Sequence, residues 1–408
     1  MAKFIKNTFI IFFILIIFTL KGFSQKSIII FKTDYSNNYM NYAIYDLIIK
    51  NIFLYSNLKI MNSYSNYSSY NKIKSQIKKL TINNNANISI AYQIQNFKNG
   101  ILINYIIFDN EKPNEWIEKS VYSKEEDLFF SINKILKDIY EISKIKNKIT
   151  YIKEKDYISL LGYYSQKIIL TNNEDNIYKL FYDFHKDNIY FNIDYLEYLT
   201  DKSDRTSVDI ISDLIKNMQN YINKKKNHYY LYSLGCMHYV NYKVNVILSD
   251  IEASIENYNK ALKLKNNYYK YYYRLANAYI LKNDYDNAIK YYEEAIKLNE
   301  YDINIIREFV YLLKRDINKN GNEVISYLKK IIEINKNDEE ALEEISKLYE
   351  KIGDYDNALI YYNKLFEVIN YNLYIINNET KDADAYDRYI FKRNSIKLNI
   401  ESLKKKIF

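Results

Sequence analysis

A five-residue segment, DYDNA, occurs twice in this 408-residue chain, first at residues 284–288 and again at residues 354–358. A tyrosine ahead of each copy, Tyr279 and Tyr349, keeps the same offset of 70 residues. Similarity at a fixed offset marks a repeat architecture, and this offset is two units of about 34 residues, one of them slightly lengthened. The chain is therefore predicted to consist in large part of stacked pairs of helices, each packing on its neighbours.

The residues of one unit, 269–302, have the spacing that paired helices require. Side chains at i, i+3, i+4 and i+7 share a helix face, and small residues on that face let two helices approach closely. The unit places such residues at Tyr272, Leu275, Ala276 and Tyr279 of a first helix and at Ala288, Tyr292 and Ala295 of a second. Asp284 stands at the predicted start of the second helix, where exposed N–H groups favour a carboxylate. On these positions the unit resembles the tetratricopeptide repeat, which implies an all-α helical solenoid.

The repeats are predicted to fill most of the C-terminal part of the chain. Three units are clear, at residues 269–302, 303–338 and 339–372. Weaker copies upstream extend the predicted array to residues 151–372. In the copy that contains Gly235, a long connection at residues 241–250 is predicted between the two helices. Residues 373–408 are predicted to form a C-terminal capping helix and tail, the polar end that a solenoid needs.

Residues 25–147 have a different pattern, in which short apolar runs alternate with amphipathic segments. Residues 27–32 read as a buried strand, and Asn99-Gly100 is a strong turn signal between two later strands. Residues 125–142 have the period of an amphipathic helix. The predicted order is β-α-β-α-β-β-β-α, an α+β domain ahead of the helical array.

This order resembles the amino-terminal domain of TolB, a module of bacterial envelope proteins often placed ahead of tetratricopeptide repeats. The matching features are the strand at 27–31, the alternating strand at 88–94, Trp116 and the helix start at 127–129. The Pro-Phe pair that the family has after its first strand is absent, and Phe31-Lys32 stands there. The resemblance implies a binding or scaffolding module that has no catalytic residue set.

Residues 1–24 read as a secretory signal peptide. Lys3 and Lys6 precede the apolar residues 8–20, and small residues lead up to Ser24, after which cleavage is expected. The apolar run is shorter than the roughly 20 residues that a membrane-spanning helix needs. An uncleaved anchor is the alternative. In both cases the rest of the chain is expected outside the cytoplasm, in the periplasm or the cell envelope.

The composition argues against several kinds of site. The chain has only 6 glycines, and it contains no glycine-rich run of the kind that cradles phosphates. Cys236 is the single cysteine and the 3 histidines stand apart, so neither a disulfide nor a metal site is predicted. The net charge of +8, or +5 without the leader, is small for a nucleic-acid-binding chain of this length. No catalytic residue, metal, cofactor or small-molecule substrate is predicted, and the chain is predicted not to be an enzyme.

The leading hypothesis is a scaffold that binds a protein or peptide on the concave surface lined by the first helix of each unit. The outward positions of those helices are Tyr273, Asn277, Arg307, Tyr311 and Lys347. Asn277 aligns with an asparagine that, as the resemblance implies, holds a peptide backbone or carboxylate. A complete carboxylate clamp is absent, because Tyr273 and Glu343 stand where lysines are expected.

A second hypothesis assigns the function to the first domain. The chain would then be an envelope structural or assembly factor that acts through residues 25–147. In that case the repeats would serve as a spacer or an oligomerisation surface. Neither hypothesis identifies the partner.

Overall fold

The computed structural model describes most of the chain after the predicted leader. The described residues are 26–31, 39–56, 58–62, 70–83, 86–97, 100–114, 116–124, 127–144, 152, 160, 163–164, 174–185, 188–218, 227–380 and 382–407. The predicted signal peptide at residues 1–24 lies outside them. In the described part of the chain, no helix has the length and apolar character needed to span a membrane. The chain divides into two compact units, the first ending at Tyr271 and the second beginning at Tyr272.

The first unit begins with a five-stranded mixed sheet. Its strands are β1 (Ser27–Phe31), β2 (Lys59–Asn62), β3 (Ile88–Phe97), β4 (Gly100–Asp109) and β5 (Trp116–Ser123). Their order is β2-β1-β3-β4-β5, in which β1 is parallel to both neighbours and the last three strands form an antiparallel meander. Every residue of β1 is buried, because a central parallel strand is covered on both faces.

Helices cover both faces of this sheet. They are α1 (Tyr39–Tyr55), α2 (Tyr70–Asn83) and α3 (Leu128–Ser143). α2 packs on the face that carries Ile29, Phe31 and Ile106. Tyr105 points to the opposite face, since side chains alternate along a strand, and its hydroxyl donates to Asp138 of α3 at 2.6 Å. The predicted order of strands and helices is the one observed, whereas the likeness to the TolB module stays a prediction.

Helices make up the rest of the described chain. They are α4 (Glu174–His185), α5 (Ile189–Lys202), α6 (Arg205–Met218), α7 (His228–Asn245), α8 (Leu248–Leu264), α9 (Tyr269–Leu281), α10 (Tyr285–Leu298), α11 (Ile303–Leu313), α12 (Ile317–Ile334), α13 (Glu339–Lys351), α14 (Tyr355–Ile375) and α15 (Ala383–Ile407). A 3₁₀ turn, Lys314–Asp316, joins α11 to α12. The all-α part of the predicted fold is therefore confirmed.

Aspartates cap α10, α11, α13 and α14 of the second unit. The caps are Asp284, Asp302, Asp338 and Asp354, each of which accepts a hydrogen bond from a first-turn N–H at 3.0 to 3.3 Å. In the two DYDNA copies, the side-chain amides of Asn287 and Asn357 also donate to the capping carboxylate at 2.7 Å. The repeated segment is thus a helix cap that fixes where each second helix begins. This is the role predicted for Asp284.

The prediction of a long connection at residues 241–250 is wrong. α7 continues to Asn245 and α8 begins at Leu248, so only Val246 and Ile247 lie between the two helices. α7 ends because Val246 takes the left-handed conformation, with a φ of +57°. Valine seldom forms such a turn, so nothing in the local sequence indicates that the helix ends at this residue.

α7 and α8 approach each other closely at Gly235. A Cβ at this position would lie 2.5 Å from the ring of Tyr258 on α8, too close for two carbon atoms. Ser254 donates through its Oγ to the Gly235 carbonyl at 2.9 Å, and both of these α8 side chains are fully buried. The missing side chain at Gly235 is therefore what allows this helix pair to meet.

Gly235→Ala is expected to lower the free energy of unfolding by about 1–3 kcal/mol, because an added methyl group in a filled core displaces its neighbours. Gly321 in α12 supplies the matched control, since a Cβ there meets nothing within 4 Å. Gly321→Ala is expected to raise the free energy of unfolding by about 0.5–1 kcal/mol. Urea unfolding followed by circular dichroism measures both. Equal effects of the two substitutions would contradict the close contact at Gly235.

The sheet with its covering helices and the helices α4 to α8 share one compact unit. Lys50 of α1, whose side chain is 6% exposed, pairs with Asp46 at 2.6 Å and with Asp194 of α5 at 2.8 Å. Tyr164 donates to Asp46 at 2.6 Å. Each buried charge of this group therefore has a partner, as burial of an ion requires. The predicted domain limit near residue 147 falls inside this unit and stays a prediction.

Lys265, which follows α8, binds the end of α1. Its Nζ donates to the carbonyl of Ser56 at 2.9 Å and also to that of Phe53. A cation at this end of a helix opposes the helix dipole favourably. The amine also lies 4.9 Å from the centre of the Phe53 ring. Burial nevertheless lowers the pKa of Lys265 to about 7, so folding is coupled to loss of a proton.

The free energy of unfolding is expected to rise with pH between about 7.5 and 9 through Lys265. In this window the unfolded chain keeps the lysine proton, whose ordinary pKa is 10.5, while the folded chain has largely lost it. Stability rises with pH wherever the unfolded state binds more protons, here by at most about 1.4 kcal/mol per pH unit. The free energy of unfolding of the wild type, relative to that of Lys265→Met, should therefore increase as pH rises. Parallel pH profiles in urea unfolding would show that the pKa is not lowered.

Candidate functional site

The first helices of successive repeats in the second unit present one continuous surface. These helices are α11, α13 and the part of α9 that follows Tyr271. Their common surface is the A-helix face. Four of the five predicted partner residues, Tyr273, Asn277, Arg307 and Tyr311, bond with side chains of another helix of this unit. The fifth, Lys347, lies in a groove.

α15 extends the stack of first helices. Lys392 pairs with Glu339 near the start of α13 at 2.7 Å, and Lys406 pairs with Glu350 near its end at 3.1 Å. α15 therefore runs parallel to α13, in the place that the first helix of a further repeat would take. The residues that it buries are Ile396, Ile400 and Leu403.

Tyr273 and Asn277 belong to a hydrogen-bonded network. Tyr273 donates to Glu308 of α11 at 2.9 Å, and the hydroxyl of Tyr292 lies 3.0 Å from the same carboxylate. The hydroxyl of Tyr292 is also within hydrogen-bonding distance of the side-chain oxygen of Asn277. Tyr292 is buried. The oxygen of Asn277 is therefore engaged inside the protein, although the resemblance implies that this asparagine holds a peptide.

Arg307 and Tyr311 bind carboxylates of the following repeat. Arg307 donates to Asp338 at 2.8 Å and to Glu340 at 2.6 Å. Asp338 is also the cap of α13, so the guanidinium ties α11 to the start of the next first helix. Tyr311 donates to Glu340. This hydrogen bond, followed by partial burial, raises the pKa of Tyr311 to about 12.

A groove of about 410 Å³ opens between the end of α11, α12 and α13. Its apolar lining is Val324, Leu328 and Leu348, and its charged lining is Lys314, Glu344, Lys347 and Lys351. This is the lysine groove. Lys314 pairs with Glu344 at 2.6 Å, and Lys347 pairs with Glu343 one turn away at 2.5 Å. With three lysines and one glutamate around an apolar floor, the groove favours a ligand that is both apolar and acidic.

Sequence reasoning found one of the three groove lysines and missed Lys314 and Lys351. Lys351 stands four residues after Lys347, on the same face of α13, so the sequence contains a signal for it. Lys314 reaches the groove because a 3₁₀ turn follows α11, and no local pattern indicates that turn. The predicted role of the five residues in partner binding stays a prediction.

The three histidines lie apart from each other, and each is buried or contacts a side chain of the protein. His185 is buried, which lowers its pKa. His228 is within 2.7 Å of the hydroxyl of Tyr271, and burial lowers its pKa to about 3. His238 is 2.7 Å from Asp250. Across the part of the chain that the structure describes, no three His, Cys, Asp or Glu side chains are placed to hold a metal ion.

Comparison with known families identifies the repeats. Residues 269–302 and residues 339–372 each match a family model described as the tetratricopeptide repeat. These segments are the helix pairs α9/α10 and α13/α14, which carry the two DYDNA caps. The chain therefore carries tetratricopeptide repeats. No curated protein matches it.

Matches among solved structures include MamA and YrrB. The crystal structure of MamA is 19% identical, covers 40% of this chain and 91% of its own, and has a TM-score of 0.32. YrrB, described as a TPR protein with an unusual peptide-binding site, is 15% identical, covers 46% of this chain and 89% of its own, and has a TM-score of 0.29. Nothing about the function of this chain follows from likenesses of this size.

Arg307→Met is expected to lower the free energy of unfolding by about 1–3 kcal/mol, because it leaves Asp338 and Glu340 without the cation between them. Lys347→Met is the matched control on the same face. Its side chain is 61% exposed, and an exposed ion pair contributes about 0.2–1 kcal/mol. Urea unfolding of the two variants measures the difference. A smaller loss at Arg307 than at Lys347 would contradict the bridging role of the guanidinium.

Proposed function

We propose that this protein is an exported, non-enzymatic scaffold that binds a partner protein through its tetratricopeptide repeats. The repeats fit a protein–protein interaction scaffold. The lysine groove is the recognition site, and its ligand is an acidic segment of the partner that carries an apolar side chain. The observation that carries this proposal is the placement of Lys314, Lys347 and Lys351 around an apolar floor.

The groove combines the two kinds of contact that a short peptide needs. Val324 and Leu328 are buried residues of α12 that form its floor, so an inserted aliphatic or aromatic side chain leaves water. The lysines around the floor attract a carboxylate and set the orientation of the peptide. In such sites the apolar anchor usually supplies most of the affinity, and the charged rim supplies the specificity.

The hydrogen bonds of the A-helix face support the proposal through rigidity. Arg307 joins two successive first helices, and the Tyr273–Glu308 contact joins the preceding pair. The walls of the groove are therefore held in place before a ligand arrives, which reduces the entropy lost on binding. In this proposal the four bonded residues position the groove, and Lys347 contacts the ligand.

The leader supports the proposal that the protein is exported. Lys3 and Lys6 followed by the apolar residues 8–20 have the order of a secretory signal, with cleavage after Ser24. The partner is then a protein of the periplasm or the cell envelope. The proposal includes no cofactor, nucleic acid or small-molecule substrate.

A second candidate function places recognition on the sheet of the first unit. β5 is an edge strand, and its Trp116 and Tyr122 side chains are 47% and 56% exposed. An edge strand with exposed aromatic side chains can accept an added strand from a partner. This surface would serve an envelope assembly factor whose repeats act as a spacer.

Reversing two charges of the lysine groove is expected to abolish partner capture. Tagged mature protein, residues 25–408, is crosslinked in the envelope fraction, and recovered proteins are quantified by mass spectrometry. Lys347→Glu/Lys351→Glu should reduce recovery of the specific partner at least about tenfold, because like charges then face the acidic ligand. The fold should be retained, since both lysines are exposed.

Lys404→Glu/Lys405→Glu is the control, because it makes the same change of charge on exposed residues of α15. This control should recover the partner at the wild-type level. Equal recovery by all three proteins would refute the groove as the recognition site. Loss of the partner only in Trp116→Ser/Tyr122→Ser would favour the edge of the sheet instead.

A further inference from the structure

The turn between α7 and α8 exposes three aliphatic side chains in a row. Val246, Ile247 and Leu248 are 67%, 47% and 72% exposed. These three residues are the apolar turn. A single exposed leucine needs no explanation, whereas a contiguous exposed apolar cluster indicates an interaction surface.

The apolar turn departs from the rules that the rest of this chain follows. The other non-glycine residues with positive φ among the described residues are Lys144, Ser203 and Asn283. Val246 is thus the one β-branched residue among them, and a β-branched side chain is the most strained in this conformation. Asparagine is abundant in this chain and tolerates the same turn, as Asn283 shows.

The start of α8 departs from a second rule. Ile247 occupies the cap position and provides no side-chain hydrogen bond, whereas several other helices are capped by an Asn or Asp side chain, such as Asn227 and Asp284. Replacing a capping side chain by an apolar one costs about 0.5–2 kcal/mol. Local rules are broken mainly where function requires it. Here both departures place an aliphatic side chain in water.

The apolar turn is held rigid. Asp250 lies 2.7 Å from His238 Nδ1 and accepts a hydrogen bond from Asn241 at 2.5 Å, so it binds α8 to α7. The Val246 N–H donates to the Tyr242 carbonyl at 2.7 Å. The three side chains are therefore presented in a fixed arrangement, which suits insertion into a preformed pocket.

Charges beside the apolar turn narrow the choice of partner. The first three turns of α8 carry Asp250, Glu252 and Glu256, and the first lysine or arginine within this helix is Lys260, while on the other side of the turn Lys243 of α7 stands three residues before Val246. This acidic flank disfavours an anionic membrane surface. It favours an apolar pocket that is surrounded by basic side chains.

The lysine groove is an apolar pocket surrounded by basic side chains. We propose that the apolar turn of one copy of this protein inserts into the lysine groove of a second copy, so that the chain assembles head to tail. The aliphatic side chains would contact Val324 and Leu328, and the acidic flank would face Lys347 and Lys351. Two different surfaces meet in such a contact, so it is heterologous and builds rings or open filaments. This inference rests on the proposed function of the groove.

Analytical ultracentrifugation of the mature chain over a range of concentrations tests this assembly. The wild type is expected to associate as its concentration rises. Val246→Asn/Ile247→Asp/Leu248→Ala replaces the turn with the turn and cap residues used elsewhere in the chain. This variant should have a dissociation constant at least about tenfold higher. Its unfolding midpoint should be equal to or above that of wild type, which separates lost association from lost folding.

A mixing experiment tests the heterologous geometry. The turn variant keeps an intact groove, and Lys347→Glu/Lys351→Glu keeps an intact turn. Each should be monomeric alone, and their mixture should form a one-to-one dimer that grows no further. A wild type that stays monomeric, a turn variant that associates normally, or a mixture without dimers would each overturn the proposal.

The outcomes also separate this inference from the proposed function. If the groove variant loses the envelope partner while its self-association is unchanged, the groove is a partner site and the head-to-tail contact is wrong. Flotation with vesicles of phosphatidylethanolamine and phosphatidylglycerol tests the remaining alternative. Binding that depends on Val246, Ile247 and Leu248, in a wild type that does not self-associate, would assign the turn to the membrane and overturn the proposal.

Discussion

The close approach of paired helices is the constraint on which this structure depends. Two helices meet only where one of them carries little side chain, as Gly235 does against Tyr258, and the alanines of the clear repeats have the same role. Ala276, Ala288 and Ala295 are fully buried. Tyrosines fill the remaining volume, because the ring packs as a large apolar body while the hydroxyl finds a polar partner. Tyr292 illustrates both properties.

Stacking of such pairs brings successive first helices side by side, and this decides which side chains remain for recognition. The residues that face a neighbouring first helix find partners there, as Arg307 does with Asp338 and Glu340. A side chain that points away from its own helix pair can therefore lie in the interface with the next repeat. Lys347, in contrast, pairs with Glu343 of its own helix and borders an apolar floor. The proposed function therefore assigns ligand binding to the groove rather than to the whole A-helix face.

Features that depend on neighbouring residues in the chain could be predicted from the sequence. The DYDNA copies indicated helix caps, and hydrogen bonds at Asp284 and Asp354 confirm them. The order of strands and helices in the first 140 or so residues also follows from local periodicity. The bonds of Arg307 were not predictable, because its partners lie 31 and 33 residues away in sequence. The short turn at Val246 was missed for a different reason, since the chain uses there a residue that turns seldom contain.

The central claim is that partner recognition occurs in the lysine groove of the repeats. Hydrogen–deuterium exchange of the mature protein, with and without its crosslinked and purified partner, tests this claim most directly. The account predicts slower exchange in residues 314–351, which contain the groove, and little change in the sheet at residues 27–123. Protection confined to the sheet, and above all to β5, would contradict the account and assign recognition to the first unit.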